Sequence, residues 1–403
     1  MSNGAAVGGA NLNAGTTAST RHGLILLLAA VMPPMAIISL VPVLPLLLKE
    51  FASVKGSEFL VPIAMTVPAL CVALFSPVAG WLSDRVGRKN LLVLSLVIYA
   101  AIGVVPFFLS DLKQIIAARV GLGVAEAIIM TIATALIGDY FTGKERLRWV
   151  GRQIATVSLS AIVLIAIGGI LGQAIGSRGP FLLYLLALPV ALSAAIILFE
   201  PARSTDHAEQ KNKSLPLARI LPILVATLFV GIVFYTMIVK LGEILGLTAT
   251  VSPAQIGAIG AGANIGVAVG SAVFSRMRGA SGPTLLLAGL TLAAIGYLGT
   301  GLSGSLVVTS IAVIVATVGF GIMLPALLTW MLVLLPKDVR GRGTGLWTGV
   351  FFFGQFFAPL LAAGLERQLG GLANILLMFS ALCAIGVIIA AVKRKGAESF
   401  LTD

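Results

Sequence analysis

Twelve long apolar runs divide this sequence, and short polar segments separate them. The runs lie at about 24–48, 59–83, 91–110, 114–138, 153–176, 180–199, 218–240, 254–277, 283–302, 306–334, 344–365 and 371–392. A bilayer core requires about 20 apolar residues per helix, so each run predicts one membrane-spanning helix, and the runs are numbered as spans 1 to 12. They are continuously apolar rather than alternating in polarity, which excludes a transmembrane β-barrel.

The composition agrees with an integral membrane protein. Of the 403 residues, 58% are hydrophobic and only 10% are charged, whereas a soluble domain carries about 25% charged residues. The first 20 residues are mainly Gly, Ala, Asn, Ser and Thr without an apolar core, which predicts a flexible tail rather than a signal peptide or a domain. The lipid bilayer is therefore the expected environment.

The placement of the positive charges predicts the orientation in the membrane. A net charge of +12 raises the possibility of nucleic-acid binding, but the Lys and Arg residues are divided unevenly between alternate connecting segments. Twenty lie in the segments on the same side as the termini and five on the other side. This follows the positive-inside rule. We therefore expect cytoplasmic termini, a cell inner membrane location and no nucleic-acid partner.

A polar connector at about 200–216 separates the spans into two sets of six, and the two sets are related. Val120–Gly123 in span 4 matches Val318–Gly321 in span 10 at an offset of 198 residues. Two parallel six-helix repeats with a site at their interface form a transporter architecture. The predicted organisation is a cytoplasmic tail (1–23), an N-terminal bundle (24–200), a cytoplasmic linker (201–216), a C-terminal bundle (217–392) and a second cytoplasmic tail (393–403).

The most specific motif is the segment 80–89 between spans 2 and 3, which reads Gly-Trp-Leu-Ser-Asp-Arg-Val-Gly-Arg-Lys. This G-x-x-x-D-R-x-G-R-K spacing resembles the loop between helices 2 and 3 of the major facilitator superfamily. The resemblance extends over about 24–392. It implies an all-α integral membrane fold of 12 transmembrane helices in two six-helix bundles, which transports by alternating access around a central site.

The same resemblance implies that the 80–89 loop latches the two halves on the cytoplasmic side. The predicted latch residues are Gly80, Asp84, Arg85, Gly87, Arg88 and Asp139. Asp84 is expected to face the start of span 11, where helix N-terminal amides stabilise a carboxylate, and Asp139 is the expected partner of Arg88. The alternative, simple positive-inside anchoring, explains the arginines but not Asp84 or the two glycines.

Span 4 contains two ionisable residues, Arg119 and Glu126, within an apolar run. Such residues are costly at membrane depth and usually mark a pathway or a pair. Seven residues place them on one helix face but roughly 10 Å apart along the axis, too far for a direct ion pair. Burial favours the neutral form of a carboxyl and a nearby guanidinium favours the ionised form. Glu126 is thus a candidate proton or substrate-cation site, or else part of a static pair with an unidentified partner.

A second resemblance concerns the pattern R-x-x-x-G-x-x-x-A, which Arg119, Gly123 and Ala127 match. In proton-driven efflux members of the superfamily that arginine is implicated in proton transfer. The usual glutamine of the pattern is Leu122 in this chain, and the Gly-Pro of the span 5 antiporter motif is missing before Gly168. The resemblance favours proton-coupled export of an amphipathic drug or metabolite; the alternative is a proton-coupled importer or uniporter of a small organic solute.

Further polar and aromatic residues of the spans are candidates for the substrate cavity. They are Tyr235 and Lys240 in span 7, Asn264 in span 8, Trp330 in span 10, and Phe353, Gln355 and Phe356 in span 11. Lys240 either pairs with Glu243 and snorkels to the interface or faces the outer mouth of the cavity. The phenylalanines either line an apolar cavity with Gln355 as its polar group or only pack.

The sequence carries no phosphate-binding Walker loop, HExxH, GxSxG or Cys/His cluster. We therefore expect no cofactor, no metal and no enzymatic activity. A membrane-embedded enzyme or receptor would require a catalytic dyad or a large soluble domain. The expected partners are a small-molecule substrate and protons, and the protein is expected to act as a monomer.

The latch hypothesis predicts the effect of replacing Asp84 with asparagine. Asp84→Asn removes the charge that would dock on the start of span 11, so the exchange between conformations should slow while the binding site is unchanged. Transport kinetics in proteoliposomes should show a lower turnover number and a nearly unchanged substrate affinity. A loss of affinity alone would contradict the latch.

Overall fold

The computed structural model describes residues 18–201, 215–277, 280–336 and 339–394. Within these residues, twelve helices are long and apolar enough to cross a membrane, and there is no β-strand. The prediction of an all-α, twelve-span membrane fold is confirmed.

The helices agree closely with the predicted runs. Spans 2 to 5 are Ser57–Val86, Arg88–Val104, Leu112–Tyr140 and Gly143–Ile175; spans 7 to 12 are Leu217–Val239, Pro253–Arg276, Gly282–Leu302, Leu306–Leu334, Arg340–Leu369 and Leu372–Arg394. Spans 1 and 6 are interrupted. Span 1 consists of helix Thr20–Ile38, a 3₁₀ turn Val41–Val43 and helix Leu44–Glu50, and span 6 of a 3₁₀ segment Gly179–Leu186 followed by helix Ala187–Ile197.

Prolines account for these interruptions. Pro42 and Pro45 lie at the starts of the two short segments that complete span 1, and Pro180 lies at the start of the 3₁₀ segment of span 6. Proline has no backbone N–H and its ring crowds the preceding helical turn, so the first turn of a new helical segment is a favourable position for it. The apolar runs alone predicted two unbroken helices here.

The proposed domain boundaries fall mostly at or beyond the limits of the described residues. Helix Thr20–Ile38 starts within the predicted tail 1–23, and Ser19 donates its backbone N–H to His22 Nδ1 at 2.9 Å in a capping box. Residues 1–17, 202–214 and 395–403, which hold most of the two tails and the linker, lie outside the described residues. The domain division therefore stays a prediction.

Matching hydrogen bonds show that the two halves are built alike. The Tyr99 hydroxyl of span 3 donates to the Met32 carbonyl of span 1 at 2.5 Å. The Tyr297 hydroxyl of span 9 donates to the Val233 carbonyl of span 7, also at 2.5 Å. The two tyrosines are 198 residues apart, the offset that relates spans 4 and 10 in the sequence. Each half thus carries the same link between its first and third helices.

The two halves contact each other through spans 5 and 8 and through spans 2 and 11. Because the number of spans is even, both termini lie on one side of the bundle, the termini side, and the other is called the distal side. In the distal part, a Cβ built on Gly257 of span 8 would lie 2.8 Å from the Ile165 carbonyl oxygen and 3.0 Å from Gly169 Cα of span 5. Arg367 of span 11 also forms an ion pair with Glu58 of span 2. Small residues allow this close approach of helices in lipid.

This distal contact predicts the effect of adding one methyl group to span 8. Gly257→Ala places a Cβ against the backbone of span 5, so the distal side should close less often. Spin labels on Lys55→Cys and Thr250→Cys, in the distal loops of the two halves, should report a longer distance population by pulsed electron paramagnetic resonance.

The matched control for this prediction is Gly262→Ala on the same helix. A Cβ on Gly262 would meet the Ile314 side chain of its own half at 3.4 Å, so the distal distances should match those of the unmodified chain. Identical distance distributions for the two alanine variants would show that the Gly257 contact does not hold the distal side closed.

Candidate functional site

Glu126 lies deep in span 4 with no fixed hydrogen-bond partner for one of its oxygens. The residue is 2% exposed, and Oε2 is buried and unpaired among the described residues. A buried, unpaired carboxylate is costly in any protein and more so in a bilayer. The side chain is therefore suited to holding a proton or to accepting a donor from a bound molecule.

Arg119 lies on the same face of span 4, about two turns before Glu126, and is held by hydrogen bonds within the protein. It is 1% exposed, and its Nε donates to the Ala64 carbonyl at 2.8 Å while Nη2 donates to the Ala36 carbonyl at 2.5 Å. Nη2 also donates to the Met65 carbonyl at 3.2 Å, and Nη1 to the Tyr184 hydroxyl. These bonds join span 4 to spans 1, 2 and 6.

Two of these carbonyls can accept hydrogen bonds from Arg119 because their own helices do not supply the usual backbone donor. Pro68 lacks the N–H that would bond the Ala64 carbonyl, and Ala36 lies in the last turn of helix Thr20–Ile38, where carbonyls lack intrahelical donors. A Cβ on Gly123 would lie 2.6 Å from Pro68 Cα, so the glycine lets span 2 approach span 4. The R-x-x-x-G spacing thus brings Arg119 to its acceptors.

The charged residues of span 4 act electrostatically on each other and on a residue of the other half. Arg119 acts electrostatically on the Glu126 carboxyl, and Glu126 in turn acts electrostatically on the Tyr235 hydroxyl of span 7. The Tyr235 ring packs against Phe351 of span 11 with centroids 5.3 Å apart. We expect Glu126 and Tyr235, both predicted from the sequence, to face one site between the halves, called the central site, and this stays a prediction.

Span 11 contributes a stripe of three residues to this central site. Trp347, Phe351 and Gln355 recur every four residues and so share one helix face. The Trp347 ring stacks on Phe351 with centroids 5.7 Å apart and planes 5° apart, and Gln355 is 3% exposed. The sequence analysis selected Gln355 but missed Trp347 and Phe351, which its four-residue spacing would have revealed.

The other predicted residues of span 11 lie elsewhere on the helix. Phe353 is 40% exposed and packs against Phe357 with centroids 4.6 Å apart, on a face turned away from Gln355. The Phe356 carbonyl accepts a hydrogen bond from Thr66 Oγ1 of span 2 at 3.5 Å, at the junction of the halves. The structure separates Phe353 from Gln355 and does not support a cavity shared by the two.

Asn264 and Trp330 make their described contacts within the C-terminal half. Asn264 Nδ2 donates to the Gly260 carbonyl of its own helix at 2.9 Å. The Trp330 ring fills the space beside Gly282, where a Cβ would come within 2.6 Å of it. These contacts do not connect either residue to Glu126.

Lys240 belongs to a charge cluster at the distal end of span 7. It is 3% exposed, and its Nζ pairs with Glu243 Oε2 at 2.7 Å and with Glu366 Oε2 of span 11 at 3.4 Å. The pairing with Glu243 that the sequence suggested is present, and the ammonium is buried between two carboxylates. Burial raises the pKa of the Glu243 carboxyl above its usual value, and the charge and hydrogen bond of Lys240 oppose that effect.

The segment 80–89 makes specific contacts on the termini side. Arg88 Nη1 pairs with Asp139 Oδ2 at 2.5 Å, the partner that the sequence suggested. Glu200, at the end of span 6, accepts hydrogen bonds from the backbone N–H groups of Arg88 at 2.5 Å and Lys89 at 2.9 Å. Gly87, between spans 2 and 3, has φ +102°, a conformation that favours glycine. The role of Glu200 was missed because it lies 112 residues from Arg88 in the chain.

The remaining latch residues are placed as follows. The Arg85 guanidinium lies 4.0 Å from the centroid of the Trp81 ring, and a Cβ on Gly80 would be 4.0 Å from Thr131 of span 4. The side chain of Asp84 lies outside the described part of the structure, so its contact with span 11 stays a prediction. The contacts named here tie the loop to spans 4 and 6 of its own half.

Comparison with known proteins identifies the family and the fold of the chain. The model of the Major Facilitator Superfamily matches residues 26–359. Among solved structures, one similar fold is that of a bacterial homologue of the human lysosomal transporter Spinster, in an inward-facing and unoccupied conformation. The TM-score is 0.75 and the identity is 17%, and the match covers 94% of this chain and 98% of that one. A likeness at that identity concerns the fold alone.

Three curated relatives illustrate the range of similarity. The class H tetracycline resistance protein of Pasteurella multocida is 27% identical over 183 residues, 45% of each chain. The bacillibactin exporter of Bacillus subtilis (strain 168) is 35% identical over 138 residues, 33% of this chain and 34% of that protein. A probable sugar efflux transporter of Mannheimia succiniciproducens is 26% identical over 344 residues, 80% of this chain and 82% of that one. The chain thus spans less than half the length of the tetracycline resistance protein it matches.

The hydrogen bonds of Arg119 predict a structural cost for its removal. Arg119→Met leaves the Ala64 carbonyl without its donor, and an unsatisfied buried group costs about 1–3 kcal/mol. The Ala36 carbonyl loses one of its two donors and keeps the Tyr184 hydroxyl. Thermal unfolding in detergent should therefore occur at a clearly lower temperature. The exposed Arg148 supplies the control, since Arg148→Met should unfold like the unmodified chain. Equal unfolding temperatures for the two variants would argue against the structural role of Arg119.

Proposed function

Because the chain belongs to the major facilitator superfamily, we propose that it is a proton-coupled secondary transporter that exports an amphipathic drug or metabolite by alternating access. The family and the fold are those of transporters rather than enzymes, and the chain is a multi-pass membrane protein. The coupling to protons, the direction and the substrate class are the proposed parts.

The observation that carries the proposal is the buried Oε2 of Glu126, which has no partner among the described residues. A protonated carboxyl is tolerated in such a place, whereas an ionised one requires a cation or a hydrogen-bond donor. Proton and substrate therefore stabilise the site in alternative states. Competition of this kind couples the exit of one to the entry of the other, which is antiport.

Arg119 supports this role by position. Its donors are engaged by carbonyls and by Tyr184, so it does not form a direct pair that would fix Glu126 in one state. Its charge nevertheless acts on the Glu126 carboxyl and favours the release of the proton. We assign Arg119 to tuning and positioning of Glu126.

The names of the relatives favour export. They refer to tetracycline resistance, to a bacillibactin exporter and to sugar efflux. With cytoplasmic termini in an inner membrane, a distal contact such as that of Gly257 with span 5 keeps the central site closed to the outside, which suits loading from the cytoplasm. The 80–89 loop, with Asp84, would then act as a latch on the cytoplasmic side. The transporter would be a monomer.

The alternative is a proton-coupled importer or a uniporter, and the missing Gly-Pro before Gly168 in span 5 favours it. The sign of the pH gradient that drives accumulation separates these mechanisms in proteoliposomes, whatever the orientation of the protein. Antiport accumulates substrate in vesicles with an acidic lumen, symport accumulates it in vesicles with an alkaline lumen, and a uniporter responds to neither.

The central prediction concerns Glu126→Gln, which keeps the size of the side chain but cannot exchange a proton. In acid-lumen proteoliposomes, accumulation of the first transported compound from a screen that begins with tetracycline should fall to the level of protein-free vesicles. Exchange of labelled for unlabelled substrate without a gradient should persist, because binding and alternation do not require the proton.

The control for this experiment is Glu145→Gln at an exposed position of span 5, which should accumulate substrate like the unmodified chain. If Glu126→Gln still accumulates substrate in response to the gradient, Glu126 is not the proton site.

A further inference from the structure

Two polar atoms of span 11 are buried without a partner beside the central site. They are the indole Nε1 of Trp347 and the amide Oε1 of Gln355, neither of which has a hydrogen-bond partner among the described residues. Gln355 is 97% buried, since only 3% of its surface is exposed. Leaving a buried donor or acceptor unpaired is unfavourable. One helix face therefore carries two unpaired polar atoms, and a bound molecule could supply the missing hydrogen-bond partners.

The geometry of this face defines the shape of that molecule. Eight residues separate Trp347 from Gln355, which corresponds to about 12 Å along the helix axis. Phe351 lies between them, with the Trp347 ring stacked on it at 5° and the Tyr235 ring beside it. The result is an aromatic wall with a hydrogen-bond donor at one end and an acceptor at the other.

We propose that the stripe Trp347–Phe351–Gln355 is the recognition wall of the transporter, and that it selects elongated planar molecules. Such a molecule lies along the Phe351 and Tyr235 rings, accepts a hydrogen bond from Trp347 Nε1 and donates one to Gln355 Oε1. This inference rests on the proposed transport function and specifies its substrate class.

Glu126 completes the site from the other half. In the proposed site its unpaired Oε2 is the acceptor that faces the recognition wall. A second donor or an amine of the same molecule would pair with this oxygen. A substrate that touches both halves senses their relative movement, as alternating access requires.

The wall also predicts what is rejected. A compound without hydrogen-bonding groups leaves Gln355 Oε1 and Trp347 Nε1 unpaired, and sites built around buried polar groups discriminate strongly against such analogues. Bulky cations that carry no donor should therefore bind poorly, even though the wall is aromatic.

The test is calorimetric binding to the full chain in detergent at one pH, with two probes. Tetracycline is planar and carries donors and acceptors, whereas tetraphenylphosphonium is not planar and carries neither. Tetracycline should bind more tightly. Gln355→Leu and Trp347→Phe should each weaken tetracycline binding about tenfold or more, with little change for tetraphenylphosphonium. Trp347→Phe keeps an aromatic ring at this position but removes the N–H together with the five-membered ring, so it tests the wall even if Gln355→Leu does not fold.

Phe353→Leu is the matched control, because Phe353 lies on another face of the same helix and should leave both affinities unchanged. The inference is overturned if tetracycline does not bind, if tetraphenylphosphonium binds more tightly, or if the two wall variants weaken both probes equally. Binding in detergent requires no gradient. If binding is selective but the pH gradient does not drive accumulation, only the proposed antiport is overturned. If the gradient drives accumulation but binding is not selective, only the recognition wall is overturned.

Discussion

Inside a bilayer there is no water to satisfy a polar group, so each one must find its partner within the protein or from a ligand. The structure follows this constraint with few exceptions. The guanidinium of Arg119 donates four hydrogen bonds, to carbonyls of two neighbouring helices and to Tyr184. Buried tyrosine hydroxyls bond to helix carbonyls in both halves. The exceptions among the described residues are Glu126 Oε2, Trp347 Nε1, Gln355 Oε1, Glu243 Oε1 and Thr309 Oγ1. Of these, Trp347 is linked to Tyr235 through Phe351.

The same constraint separates two kinds of charge within the spans. Arg119 is a structural cation, because the breaks in helical hydrogen bonding near Pro68 and Ala36 supply acceptors for it. Lys240 is likewise neutralised by Glu243 and Glu366. Glu126 has no such arrangement for its Oε2. Glu243 also has one unpaired buried oxygen, Oε1, but it pairs through Oε2 with Lys240, and Glu126 is therefore the group proposed to bind and release a proton.

The sequence determined the fold well because the apolar runs, the asymmetry of Lys and Arg and the 80–89 motif are all local signals. It also placed Glu126, Tyr235 and Gln355 among the candidates. It did not identify Tyr184, Trp347, Phe351 or Glu200, since their roles depend on which helix faces which, and contacts such as that of Glu200 with Arg88 join distant parts of the chain. For Phe353 and Lys240 the sequence left a cavity position and a local contact both open. The described contacts of Phe353 with Phe357 and of Lys240 with Glu243 correspond to the local alternative.

The repeat relating the halves has one instructive break. The position that corresponds to Arg119 at an offset of 198 is Thr317, and the one that corresponds to Glu126 is Leu324. The ionisable pair of span 4 therefore has no counterpart in span 10, whereas the aromatic stripe lies in the second half. Under the proposed function, energy conversion belongs to the first copy of the repeat and substrate choice to the second. Exchange of the second copy between related transporters would be a route to new cargo that leaves the driving force untouched.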